Sequence, residues 1–94
     1  MDFLELFNAV ARKVRPAYQD YKDVTDLDTP FPETGLDSMD GLMMGIFMCD
    51  IYGIDDETGK TMLPKTPREM MEFLEKHKTK TPISVKDAVD GVEW

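Results

Sequence analysis

At four places along this chain a short oxygen-bearing side chain, followed three residues later by an acid, stands at the head of apolar residues recurring at helical spacing. The pairs are Asp2 and Glu5, Asp37 and Asp40, Thr66 and Glu69, and Ser84 and Asp87. Each reads as a helix start: the first oxygen accepts from an amide of the opening turn, and the acid sits near the positive end of the helix dipole. Behind each start the apolar residues recur at spacings of three and four, and no segment alternates as a half-buried strand does. The chain is therefore expected to be all-α, a small four-helix bundle with an additional C-terminal helical segment.

Phe3, Leu6, Phe7, Val10 and Val14 predict a first helix from Phe3 to about Arg15, with Arg12, Lys13 and Arg15 at its negative end and Pro16 stopping it. A second helix is expected from Ser38 to about Tyr52, ended by Gly53. Met39, Leu42, Met43, Ile46 and the Ile51/Tyr52 pair run along one side of it. The long connection over residues 19–36 contains Pro30 and Pro32, which exclude regular helix there. Leu27, Phe31 and Leu36 are its means of attachment to the core, and Gly35 supplies a turn before the second helix. Residues 54–65 hold a polar turn from Asp55 to Lys60 and one short helical turn over Lys60 to Leu63. The Thr66-capped helix takes Pro67 at its first position and buries Met70, Met71, Phe73, Leu74 and His77, with Lys76, Lys78 and Lys80 at its C-terminal end. The helix headed by Ser84, with Val85, Ala88, Val89 and Val92 at helical spacing, is too short to stand alone. It is expected to pack on the core through Val85, Val89 and Trp94.

At 94 residues the chain is one domain. Its longest apolar run, Leu42 to Cys49, falls far short of the roughly 20 residues a membrane helix needs, so no membrane insertion is expected. Asp2 and Glu5 stand where a secretory signal carries bases. The single cysteine, Cys49, has no internal partner for a disulfide, which suits a reducing cytoplasm. A net charge of −8 argues against nucleic acid and favours basic protein partners. The acidity is concentrated: between Gln19 and Glu57 eleven carboxylates face a single base, Lys22.

Within that acidic stretch Gly35-Leu36-Asp37-Ser38-Met39-Asp40 puts a serine hydroxyl at a helix start, after a long loop that should leave it exposed. Unpaired amides and the positive dipole end there suit a phosphodiester. The segment resembles the Gly-x-Asp-Ser-Leu attachment motif of the acyl carrier protein family, with methionine for leucine. The resemblance extends over roughly Phe3 to His77 and takes in the helix order, the long loop, the small size and the acidity. It implies a carrier domain over residues 1–80 and an extension over 81–94 outside the family pattern. Ser38 would accept 4′-phosphopantetheine from coenzyme A through a phosphopantetheinyl transferase, and the arm would hold acyl groups as thioesters. The carrier would be a monomer that catalyses nothing itself. It would raise the effective concentration of each tethered intermediate at acyl-loading, synthase or acyltransferase enzymes of fatty-acid, lipid or polyketide-type biosynthesis. Asp37 would cap the helix beside the attachment point. Met39, Asp40, Met43 and Asp50 would lie on the surface that partners read.

The chain departs from the family where Met43 and Cys49 replace acids expected on the second helix, which points to a specialised carrier with a more apolar docking face. Methionine adapts its shape, so a core this rich in it can open for an acyl chain. Leu42, Ile46, Met62 and Met71 are the candidate cavity lining. Cys49 and the lone His77 do not make a recognisable catalytic pair. No segment carries the spacing of a calcium loop, so no metal site is expected. Two alternatives stay open: a peptidyl carrier loading amino acids, and a non-enzymatic helical interaction module in which Ser38 is only a helix cap.

Overall fold

The computed structural model describes residues 2–15 and 21–92, and among them the structure is all-α with no strand. Five α-helices follow in order: α1 (Phe3–Val14), α2 (Ser38–Ile51), α3 (Asp56–Gly59), α4 (Pro67–His77) and α5 (Val85–Asp90), with a 3-10 turn over Phe31–Glu33 inside the long connection. All four oxygen–acid pairs start helices. Asp2 accepts from Leu4 N, Asp37 from Asp40 N, Thr66 from Glu69 N and Ser84 from Asp87 N. Pro16, expected to stop α1, and Trp94, expected to anchor the tail, lie outside the described residues.

The helix α1 is the hub, packing against α2, α4 and α5. Leu6, Phe7, Val10 and Ala11 are wholly buried, as its apolar stripe requires. Opposite them lie Met44 and Met48 of α2, Met70 and Leu74 of α4, and Ala88 of α5 with Val92 after it. On α4, Met71 packs only partly against the core, and Phe73 and His77 stack on one another at 4.5 Å near the surface.

The structure settles which side of α2 is buried and corrects the place of the third helix. The side of α2 read from Met39, Leu42 and Ile46 is not the side that meets the core, since all three are more than half exposed, at 63%, 61% and 53%. The buried line runs through Asp40, Met44, Met48 and Ile51, one step round the helix. Both lines have helical spacing because α2 is apolar on nearly every side, so periodicity alone does not choose between them. The short third helix lies over Asp56–Gly59 and not over Lys60 to Leu63. Asp55 sets it: its carboxylate accepts from Thr58 N at 3.2 Å, a cap inside what reads as a polar turn.

The long connection is fastened along its described length. Asn8, buried on α1, donates to Val24 O at 2.9 Å and accepts from Val24 N at 2.8 Å and from the Tyr21 hydroxyl at 2.6 Å. Arg68 grips Asp28 through two nitrogens, at 2.7 and 3.2 Å, and its backbone N donates to Leu27 O. Leu36 is buried, and Leu27 and Phe31 pack on the core, Phe31 against the ring of Phe7 at 5.8 Å. The segment that leads into the C-terminal extension is held by the end of α2. Gly53 turns the chain with φ +68, and the amides of Thr79 and Lys80 both donate to Tyr52 O.

Two outcomes follow from this packing. Deleting residues 81–94 uncovers the α1 surface under Ala88 and Val92 and should lower stability to urea by on the order of 3 kcal/mol. An unchanged midpoint would mean that the extension contributes nothing to the core. Burial, and after it the Asp23 charge, pushes the Tyr21 hydroxyl from 10.0 up to about 12. The folded chain thus holds this proton more tightly than the unfolded chain. The stability it lends is complete below about pH 10 and is lost as pH rises toward about 12. The gap in urea stability between the native chain and Tyr21→Phe should therefore narrow between about pH 8 and about pH 11.5, and a constant gap would contradict this.

Candidate functional site

The site is built on the start of α2. Thr34 closes the 3-10 turn, its hydroxyl donating to Phe31 O at 2.6 Å and accepting from Leu36 N at 3.3 Å. Gly35 then reverses the chain at φ +82, where a side chain would be strained, and Leu36 drops into the core. Asp37 and Asp40 exchange bonds: Asp37 Oδ1 accepts from Asp40 N at 2.8 Å, and Asp40 Oδ2 accepts from Asp37 N at 3.2 Å. Both halves of this capping box are made of aspartate. Ser38 is the first residue of α2 and is exposed. The cap is Asp37, so the Ser38 hydroxyl is not the group that closes the helix.

Asp40 is not displayed on the surface. It is 8% exposed, and its carboxylate also meets Arg15 at 3.6 Å. Arg15 donates from the same guanidinium nitrogen, Nη1, to the carbonyl of Gly35. The sequence suggested a residue serving the dipole of its own helix. Nothing in its spacing shows that it reaches across to the turn that carries Ser38. Of the other residues expected to face partners, Met39 and Asp50 are exposed and Met43 is half-buried.

Two adjoining clefts open on the outer side of α2, of about 490 and 480 Å³. One begins at Asp37 and Ser38, beside Phe31 and Pro32. The other ends at Cys49, Asp56, Gly59 and Lys60. They share Gly41, Leu42, Met62, Leu63 and Pro64, so the hollow runs from the serine along α2 to α3. Gly45 lets the facing segment come close: a Cβ there would stand 3.1 Å from the Met62 methyl. Leu42, Ile46 and Met62 line the hollow. Met71 does not, and packs partly buried against the core instead.

Cys49 lies at the far end of the hollow, and burial, followed by the charges of Asp56 and Asp55, pushes its thiol up. That is the opposite of what activates a cysteine nucleophile. Among the described residues no cluster of three or more His, Cys, Asp or Glu is arranged to hold a metal ion, and no helix is long and apolar enough to cross a membrane. Neither family models, nor characterised proteins, nor solved structures give a match to this chain.

The Cys49 thiol should react with iodoacetamide near pH 7.5 at least about tenfold more slowly in the fold than in denaturant. Equal rates would mean that the thiol is neither shielded nor held protonated.

Proposed function

We propose that the protein is an acyl carrier with Ser38 as its attachment residue. The observation that carries this reading is the coincidence of an exposed serine, free of any capping duty, with an apolar hollow that begins beside it. A group tethered at Ser38 would have an apolar path along Leu42, Ile46 and Met62. In the loading step Ser38 Oγ attacks the pantetheine-bearing phosphorus of coenzyme A. A new O–P bond forms as the pyrophosphate bond breaks, adenosine 3′,5′-bisphosphate leaves, and the hydroxyl proton passes to a base of the phosphopantetheinyl transferase. The terminal thiol of the arm then carries acyl groups as thioesters, and partner enzymes do the chemistry. The tether serves by raising the local concentration of its cargo.

The partner surface differs from a purely acidic one. Met39, Leu42, Ile46 and Leu63 are exposed around the hollow, whereas Asp40 is withdrawn. Partners for this face combine apolar contact near Ser38 with basic residues toward Asp50, Asp55 and Glu57 at the other end. This supports a narrow set of acyl-loading, synthase or acyltransferase enzymes of fatty-acid, lipid or polyketide-type biosynthesis. The same exposed apolar side is the one observation that favours a plain interaction module, in which α2 docks a partner and Ser38 carries nothing.

Incubation with coenzyme A and a broad-specificity phosphopantetheinyl transferase separates the two. The intact mass should rise by one phosphopantetheine, and Ser38→Ala should abolish the rise. An unchanged mass under conditions that load an ordinary carrier would overturn the carrier reading in favour of the interaction module.

A further inference from the structure

We infer that Arg15 is a positioning residue for the attachment serine, acting as a clasp across the turn that presents it. This inference rests on the carrier reading for its functional meaning, although the clasp itself is a feature of the fold.

The geometry is compact. Arg15 is the residue at which α1 ends, with extended backbone at φ −79 and ψ 142. Its side chain is 13% exposed and crosses to the turn before α2 instead of running into solvent. One guanidinium nitrogen meets two acceptors, the carbonyl of Gly35 and Oδ2 of Asp40. These acceptors lie on either side of Ser38 in the chain. Oδ2 of Asp40 is also the oxygen that accepts from Asp37 N, so the clasp and the capping box meet on a single atom. Moving Arg15 therefore alters the orientation of Asp40, and with it the amide that holds Asp37 in place. The helix start becomes a property of α1 as well as of α2.

The clasp has an electrostatic side. Ser38 stands next to Asp37 and two residues from Asp40. A phosphodiester on its hydroxyl brings a third negative charge to a short stretch of chain. Arg15 supplies a cation beneath that stretch, at 3.6 Å from one of the two carboxylates and largely shielded from water. There it offsets repulsion more effectively than an exposed base does. It also draws the Asp40 carboxylate inward, so that the exposed neighbours of Ser38 are Asp37, Met39 and Leu42.

The test uses the full chain with Arg15→Met, Arg15→Lys, Asp40→Asn and the double change Arg15→Met with Asp40→Asn. Two quantities are read at a temperature where the variants remain folded: amide exchange at Asp37 and Asp40, and the kinetics of loading by the transferase with coenzyme A. Arg15→Met should speed exchange at those two amides by about tenfold or more, while the amides of Leu6 to Val10 and of Leu74 keep their protection. The KM for the unloaded protein should rise by about tenfold, with kcat changed by less than about twofold. Arg15→Lys should recover part of both effects. The double change should be no worse than Arg15→Met alone, because both remove the same contact. If Arg15→Met does not fold, Asp40→Asn decides, since it keeps an oxygen for the cap and removes the charge that Arg15 meets; it should loosen the Asp37 amide in the same way. Native exchange at Asp37 and Asp40 in these variants, or a rise spread evenly over all helices, overturns the clasp. Failure of the native chain to load at Ser38 overturns the carrier reading instead, and leaves the clasp to stand or fall on exchange alone.

Discussion

The rest of the site depends on the way Asp37 and Asp40 close the first turn of α2. Each carboxylate takes the backbone amide of the other residue, and the pair settles two donors that a helix start otherwise leaves to solvent. Losing one such cap costs about 1 kcal/mol in general. Here more depends on it, because Asp40 is buried beside Arg15 and removing one partner of a shielded ion pair leaves the other uncompensated. The cap therefore fixes where α2 begins, which side of it turns inward and where Ser38 points. With Asp40, Met44, Met48 and Ile51 turned to α1, the line through Met39, Leu42 and Ile46 must face out. The apolar hollow along that outer line is a consequence of the same rotation.

The helix starts were legible because capping is local chemistry. An oxygen and an acid three residues apart, at the head of an apolar run with helical spacing, mark a helix start at Asp2, Asp37, Thr66 and Ser84, whereas the same pair at Asp23 and Asp26, with no such run behind it, starts none. The stripe of α1 was equally plain, since its polar residues leave one apolar side. On α2 the signal failed for the reason that makes the helix interesting. Its residues are apolar almost all round, and the feature that marks its buried side is the contact of Asp40 with Arg15, two charged side chains 25 positions apart in the chain. Asn8 was missed in a similar way: a lone amide within an apolar stripe holds the long connection through Val24 and Tyr21. Long-range polar contacts of this kind leave no spacing to read. Leu42, Ile46 and Met62 share the hollow while Met71 packs on the core, a division that apolar character alone does not reveal.

The surface divides between two kinds of attraction. Acidic side chains gather in the connections and around α3, where they would attract a basic partner from a distance. Close to Ser38 the surface is methionine and aliphatic, which rewards a partner that fits and gives little to one that merely carries charge. The described part of the C-terminal extension lies away from this face, because α5 packs on α1 and the chain before it is tied to the far end of α2. It strengthens the hub against which the serine helix is set.

The central claim is that a group tethered at Ser38 lies in the hollow along α2. Methyl spectra of the protein recorded with and without an octanoyl group on a Ser38-linked phosphopantetheine arm test it most directly. The account predicts that the shifts concentrate on Leu42, Ile46 and Met62 and spare Met71 and Ile83. An acyl group that leaves Leu42, Ile46 and Met62 unshifted would contradict it.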